Sequence, residues 1–400
     1  MLKKSTFFDF LNRHNNVSFE QFIDDSVEDE HYINWNEFVL PHDYGNAEAE
    51  YLAIRNSCAI FDGSPFRKIR ISGVGSGIFL DHLLTRKVSH RPTMRATYAI
   101  FCNEDGSLKD DAILYKFDDD DFLLINSDID HTAYFSTLCE QLDLHDVTFA
   151  ECTDTWAGLA VQGPLSATVL QNMGFQGVER LEPFDVKDFE FCDSALRISR
   201  TGFTADLGYE CWFEPDLAAA VMQRIDTLRS EMKIKLPGYG LSALQACRLE
   251  GGFIVAGWDC SSELDPQPGF ERSPYELGLG WLVDLDGAAF VGREALVAQI
   301  VNGHPYTLRS FEVDAESTPG DGDALLTGVG ESAATVGIVN CSSWSWGLKK
   351  VIGNASIQSE HADLETAWIE IGGKYVEVEL SAGPLVTLNR RNQAPAPVNS

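Results

Sequence analysis

The sequence predicts an α+β protein that ends in an all-β unit, and three features of its patterning point there. Through about residue 150, runs with an apolar period of 2 alternate with runs of helical spacing. A second unit from about 151 to 305 repeats that mixture with longer helical stretches. After about residue 306 only short alternating runs separated by glycine turns remain, which suits a small barrel or sandwich over 306–390.

Residues 1–45 read as a polar and aromatic lead with a helix near Phe19 to Glu28. The segment AEAEYLAIRNSCAIFD (47–62) has helical periodicity and runs into a DGSP turn. RKIRISG alternates as a strand, and GIFLDHLLTRKV (77–88) returns to helical spacing. ATYAIFCNEDG and DDAILYKFDDDDFLLIN form a hairpin pair around NEDGS, followed by the helical DHTAYFSTLCEQL. In the second unit WAGLAVQGP is a buried strand stopped by Gly-Pro, and SATVLQNMG and LAAAVMQRIDTLRSEM are helices. ALRISRTGFTADLGYECWFEP is two strands around a loop, and GLSALQACRLEGGF is a helix ended by glycines. LRSFEV, GDGDALL, ATVGIVNCSS and AWIEIGGKYVEVEL supply the C-terminal strands, and 391–400 reads as a disordered tail.

Four hundred residues allow two or three domains with a substantial core. The 61 acidic against 30 basic residues give a formal charge of −31, which repels nucleic acid and anionic membranes and suits a saline source. Nine cysteines without CxxC spacing point to a reducing compartment with neither a disulfide framework nor a zinc site. The nine histidines show no metal-ligand spacing, so no metal is expected. The N-terminal MLKKSTFFDFLNRHN is too short and broken in its apolar run for a signal or anchor, so a cytoplasmic location is the expectation.

ISGVGSGIF (71–79) departs from GxGxxG spacing and reads as a plain strand-to-helix turn. No phosphate-loop or serine-hydrolase motif occurs. Asp118 to Asp121 read as a solvated turn. Alternation through DDAILYKF puts Asp111, Ile113 and Tyr115 on one face and Asp110, Ala112 and Leu114 on the other. One aspartate therefore points among partly buried neighbours, either to bond the turn or to do chemistry. In TGFTADLGYE, Asp206 and Glu210 are either surface carboxylates or acceptors for a ring with adjacent N–H donors. Arg248 and Glu250 of RLEGG fall on opposite helix faces and need no role beyond structure.

Taken together, RNSCAIFDGSPFRKIRISG, TYAIFCNEDGSLKDDAILYKF, LAVQGP, RTGFTADLGYE, CRLEGG, SPYELGLGWLV, FVGREAL and VGIVNCSSWSWGLKKVIGNA resemble the glycine-cleavage T-protein (aminomethyltransferase) family, from about residue 45 to 385. This family of folate-dependent transferases includes methyl-group demethylases. The resemblance implies three domains in a cloverleaf around a central folate-binding hole. In it 1–150 forms part of the folate site, 151–305 completes it, and the last domain is a β-barrel. It also implies tetrahydrofolate as cofactor, Asp111 as the carboxylate facing the reactive folate nitrogens, and Tyr98, Tyr115, Asn126, Phe203 and Glu210 as folate-binding positions. Glu210 would read the pterin amidine edge, and Asp111 would stabilise the positive charge that develops at N5.

The sequence departs from the T-protein pattern in several places. FDGSPF replaces FDVSHM, and TGFTADL replaces TGYTGED, so Phe203 stands for a tyrosine. Leu244 stands where an arginine contacts the folate tail. The CSSELDPQPGFERSPYELGLG segment is longer than usual, and Trp344 and Trp346 replace a Ser-Pro turn. Those tryptophans either bind a cationic substrate through cation–π attraction or simply pack the barrel. The leading expectation is a tetrahydrofolate-dependent demethylase of a small methylated, cationic metabolite. The alternatives are a T-protein taking an aminomethyl group from a lipoyl carrier protein, and a non-catalytic folate-binding protein. The last is disfavoured by the intact Asp110–Asp111 pair and the absence of a KGCYxGQE-type segment.

Overall fold

The computed structural model of the chain describes residues 2–14, 32–287 and 289–395. The helix expected near Phe19 to Glu28 lies outside these described residues. A short helix α1 (Phe8–Leu11) and the hairpin β1 (Tyr32–Trp35) and β2 (Phe38–Pro41) precede α2 (Ala47–Asn56). The α2 start is set by Asn46, whose side chain accepts from the Ala49 amide at 2.9 Å. The helical pattern over 47–62 breaks at Ser57 (φ −145°, ψ −111°), and Ala59–Asp62 form strand β3 instead. Pairing with a later strand takes up the backbone hydrogen bonds there, so sheet formation overrides the local periodicity.

The first large sheet contains β4 (Arg67–Ser72), β5 (Arg95–Cys102), β6 (Leu108–Asp118), β7 (Asp121–Asn126) and β8 (Thr148–Glu151) in the order β5-β6-β7-β4-β8. The turn between β4 and α3 (Ser76–Leu83) needs glycine at Gly73. Its φ is +116°, and a Cβ there would lie 1.7 Å from the Asp146 carbonyl oxygen. Helix α3 stops at Leu83 rather than near 88, because the Asp81 carboxylate draws the Val88 and Ser89 amides into a loop. Helices α3 and α4 (Thr132–Gln141) cover one face of the sheet with Phe79, Leu80, Leu83 and Phe135 packed on Ile69, Phe101, Leu114 and Leu124. Each such burial contributes roughly 1.5–3 kcal/mol. The other face bears Tyr98, Asp111, Ile113, Tyr115 and Leu123, and no helix covers it.

The second sheet joins β9 (Ala157–Gln162), β10 (Val186–Phe191), β11 (Ser194–Ser199) and β12 (Gly208–Phe213) to β3, in the order β10-β11-β12-β9-β3. Helices α5 (Ser166–Met173) and α6 (Ala218–Met232) cover the face of Leu159, Val161, Ile198, Tyr209 and Cys211. The opposite face bears Ser199, Glu210 and Trp212, which turn toward the first sheet, while α2 and α7 (Leu241–Glu250) pack on Phe61 and Ala160 at its β3–β9 end. Helix α7 packs on α2 and on the last unit, and α8 (Arg293–Asn302) leads into that unit.

The last unit is a closed barrel of β13 (Tyr306–Val313), β14 (Ala324–Leu326), β15 (Thr335–Ser345), β16 (Lys350–Gln358), β17 (Thr366–Ile371) and β18 (Lys374–Ser381). It closes in the order β13-β16-β15-β14-β17-β18 around Phe311, Val336, Val339, Ile357, Ile369 and Val378. The fold is thus α+β with a C-terminal β-barrel, and closure removes the exposed strand edges. Of the residues assigned to the tail, Arg391 and Gln393 are tied down through their carbonyls by the buried Arg200 guanidinium. No described helix is long and apolar enough to cross a membrane. None of the nine cysteines is paired.

Candidate active site

Strand β6 separates its two leading aspartates onto opposite faces. Asp110 points into the helix-covered side and is fully buried. It accepts from Asn126 Nδ2 at 2.9 Å and from the Asp111 amide at 2.8 Å, with His131 Nε2 at 2.8 Å. Asp111 points to the helix-free side and keeps accessible surface. Its Oδ1 accepts from the Ala256 amide at 3.2 Å, and the Tyr98 hydroxyl hydrogen-bonds it from the adjacent strand. Burial pushes the Asp111 carboxyl up to about 7, helped by the Asp110 charge and by Asp259; the Ala256 and Tyr98 hydrogen bonds oppose the rise.

Asp111 and Tyr115 lie on the same face four residues apart, about 13 Å at roughly 3.3 Å per residue. At the far end the Tyr115 hydroxyl donates to Glu210 Oε2 at 3.0 Å and meets Ser199 Oγ at 3.1 Å and Trp212 Nε1 at 3.1 Å. Thr201 Oγ1 donates to the same Glu210 oxygen at 2.5 Å. Glu210 Oε1 takes no hydrogen bond from the described residues, and Glu210 keeps accessible surface. Burial raises its carboxyl above the ordinary glutamate range, against the pull of Thr201 and Tyr115. The loop that delivers Thr201 and Phe203 wraps around the buried Gln162. Its Nε2 donates to the Thr201 and Tyr209 carbonyls at 3.4 and 3.2 Å, and its Oε1 accepts from Thr204 Oγ1 at 2.9 Å. Gly208 must lack a side chain, since a Cβ there would sit 2.0 Å from Gln162 Oε1.

The expected site residues therefore fall into four groups. Tyr98, Asp111, Tyr115 and Glu210 meet across the facing sheets. Asn126 lies on the opposite face of the first sheet: its register partner is Ala112, and its amide goes to Asp110 and to the Ile129 carbonyl. Phe203 and Trp346 belong to an aromatic cluster with Trp35, Tyr51, Phe61 and Trp258. Trp344, one pleat away on β15, is 36% exposed and outside that cluster.

No local pattern foretells the ion network beside that cluster. Glu250 accepts from Tyr51 at 2.7 Å, Arg55 Nη2 at 2.7 Å and Ser345 Oγ at 2.5 Å, tying α2 and α7 to the barrel. Arg390 holds Asp206 bidentately at 2.5 and 2.7 Å, and Arg55 also reaches Asp206 at 3.4 Å. Arg248 pairs with Asp259 at 2.6 Å with both side chains fully buried. Asp259 also accepts from the Val255 amide and from Asn354, which fixes the 253–259 segment and with it the Ala256 amide at Asp111. Among the described residues no cluster of three His, Cys, Asp or Glu is arranged to hold a metal. Two carboxylates with raised affinity for protons, both accessible on facing sheets, can bind N–H donors and hold or accept a proton.

Comparison with known proteins agrees with this architecture. The family model described as the GCVT N-terminal domain matches residues 28–287. The chain is 29% identical over 348 residues to an aminomethyltransferase of Lysinibacillus sphaericus, covering 86% of this chain and 91% of the relative. It is 27% identical over 388 residues to an aminomethyltransferase of Thermoanaerobacter pseudethanolicus, covering 97% and 96%. The crystal structure of the glycine cleavage system aminomethyltransferase T from Bartonella henselae superimposes with a TM-score of 0.80 at 19% identity, over 99% of this chain and all of that one.

Proposed function

The chain belongs to the glycine-cleavage T-protein (GCVT) family, and from that premise we propose that it transfers a one-carbon unit to tetrahydrofolate, with Glu210 holding the pterin and Asp111 serving the reacting amine. The observation that carries this reading is the placement of two accessible carboxylates, Asp111 and Glu210, on the facing surfaces of the two sheets. The site suits the ligand. Glu210 has one oxygen anchored by Tyr115 and Thr201 and the other free, and an acceptor-only group matches the adjacent N–H donors of a pterin edge. Tetrahydrofolate supplies the amine nitrogen that accepts the one-carbon unit. Asp111, ionised above about pH 7, stabilises positive charge at that amine and takes its proton; Tyr98 and the Ala256 amide hold the carboxylate in place. Asn126 acts behind the site by holding Asp110, and Phe203 contributes apolar wall.

The donor we favour is an aminomethyl group on a lipoyl carrier protein, a reading supported by the naming of the relatives as aminomethyltransferases. Demethylation of a small cationic metabolite is the second reading. The aromatic cluster of Tyr51, Phe203, Trp258 and Trp346 favours it, because such rings attract a quaternary ammonium or sulfonium group. Trp344 lies outside that cluster and is not needed. The nine unpaired cysteines support a reducing, cytoplasmic setting. Supplying each donor class separately with tetrahydrofolate, and weighing the folate product, separates the two: methylenetetrahydrofolate marks the aminomethyl route and methyltetrahydrofolate the demethylation. Absence of both products would overturn the reading.

A further inference from the structure

Asp110 and Asp111 are neighbours on β6 with opposite surroundings. Among the described residues, every hydrogen-bond partner of Asp110 is a donor. Its Oδ1 takes the Asp111 amide at 2.8 Å, and its Oδ2 takes Asn126 Nδ2 at 2.9 Å and meets His131 Nε2 at 2.8 Å. Asn126 Nδ2 also donates to the Ile129 carbonyl oxygen at 2.9 Å, while its Oδ1 is buried without a partner. A flipped amide would set an oxygen against both acceptors, so the orientation is fixed.

His131 is fixed in a similar way. It occupies the N-cap of α4, is 1% exposed, and packs edge-on to Phe101 at 5.0 Å and stacked on Phe135 at 5.7 Å. Its Nδ1 is buried without a hydrogen-bond partner, so the ring proton belongs on Nε2, where Asp110 accepts it. A proton on Asp110 would need an acceptor, and none of its three partners offers one.

Asp111 has the reverse setting. Its Oδ1 accepts the Ala256 amide at 3.2 Å, the Tyr98 hydroxyl can give or take a hydrogen bond, and the carboxyl keeps accessible surface. Burial and then the Asp110 charge push it up to about 7. The other titratable groups facing the pair are Tyr98 and Asp128 about Asp110, and Tyr98, Asp259 and Cys260 about Asp111. Arg67 faces Asp128 and Arg248 pairs with Asp259.

Resting on the proposed transfer to tetrahydrofolate, we propose that His131, together with Asn126, places the single proton of the Asp110–Asp111 pair on Asp111. His131 is thus a positioning residue that acts through Asp110. With Asp110 held as a charged acceptor, a proton leaving the substrate amine goes to Asp111 and from there to water on its accessible side.

The test is the pH profile of kcat/KM for folate product in wild type, His131→Leu, Asn126→Leu and His131→Gln, with the donor class that wild type uses. Wild type is expected to inflect near 7. Each leucine variant strips one donor from Asp110 Oδ2, so the proton passes to Asp110. The inflection should then fall by about one unit or more, a tenfold change in proton affinity. His131→Gln keeps an N–H donor and should stay closer to wild type. A merely structural role would lower activity without moving the inflection. An inflection that stays in place or rises in a folded leucine variant overturns the proposal. Proton placement is also read without turnover, from pH-difference infrared spectra of wild type and Asp111→Asn. The carboxylic-acid signal that disappears near pH 7 in wild type should be absent from Asp111→Asn, and its persistence there overturns the placement even if neither leucine variant folds. A wild type that shows this signal yet forms no folate product overturns the functional reading alone.

Discussion

The Tyr115 hydroxyl donates to Glu210 Oε2 at 3.0 Å, joining β6 of the first sheet to β12 of the second through a pair of residues 95 positions apart. Trp212 Nε1 in turn donates to the Tyr115 oxygen at 3.1 Å. The chain Trp212–Tyr115–Glu210 leaves one carboxylate oxygen committed and turns the other to the open side, which makes Glu210 a rigid acceptor rather than a mobile one.

Glu210→Gln exchanges that acceptor for an amide that presents only one carbonyl oxygen. Tetrahydrofolate affinity is expected to fall by about ten- to a hundredfold, as for loss of a charge-assisted pair. Tyr115→Phe should cost less, because Thr201 still anchors Glu210 at 2.5 Å. Calorimetric titration of tetrahydrofolate checks both, and equal losses in the two variants would contradict the assignment.

Asp111→Asn keeps the shape of the side chain and removes its charge. Turnover should drop by about 10² to 10⁴, the range of a general base, with tetrahydrofolate affinity nearly unchanged. The same substitution should stabilise the fold at alkaline pH. The native carboxyl titrates near 7 and the unfolded one near 3.8, so the native state binds the proton more tightly, and stability from this group is lost as pH rises between those values. The variant escapes that loss, worth on the order of 2 kcal/mol after allowance for solvent screening. Melting temperatures at pH 5 and pH 8 test it: the variant's advantage should be larger at the higher pH.

The pH dependence of kcat/KM should show a rising limb with an inflection near 7, from ionisation of Asp111. Asp110 adds a like charge directly behind it, so Asp110→Asn should move the inflection to lower pH. An inflection that stays in place in that variant would separate the limb from Asp111.

Asp259→Asn would leave the Arg248 guanidinium buried without its counter-charge. A loss of about 3–5 kcal/mol is expected, as for breaking one side of a buried pair. Thermal denaturation measures it. Because Asp259 also bonds the Val255 amide at 2.7 Å, the same change should loosen the Ala256 amide from Asp111 and raise KM even at temperatures where the protein is folded.

Much of this site could be read along single strands. The alternation through DDAILYKF already paired Asp111 with Tyr115, and the β-rich pattern after 306 foretold a barrel or sandwich, of which the closed barrel is observed. What local pattern does not carry is partnership across strands. Asn126 pairs in register with Ala112, and this puts its amide with Asp110 on the covered face. Ala59–Asp62 continued a helical period in sequence, yet β9, a hundred residues on, claims that segment for a sheet. Arg55 and Glu250 stand 195 residues apart and meet only because α2 packs on α7. Charge in excess hid them: among 61 acidic residues nothing local distinguishes Glu250.

The most direct test of the central claim follows the label. Wild type and Asp111→Asn are incubated with tetrahydrofolate and carbon-13 donors, both an aminomethylated lipoyl carrier protein and a set of methylated ammonium and sulfonium compounds, and the folate pool is weighed by mass spectrometry. Label should reach tetrahydrofolate from one donor class with wild type, at least about a hundredfold faster than with Asp111→Asn. Label that reaches folate equally fast with both proteins, or from no donor at all, would contradict the account.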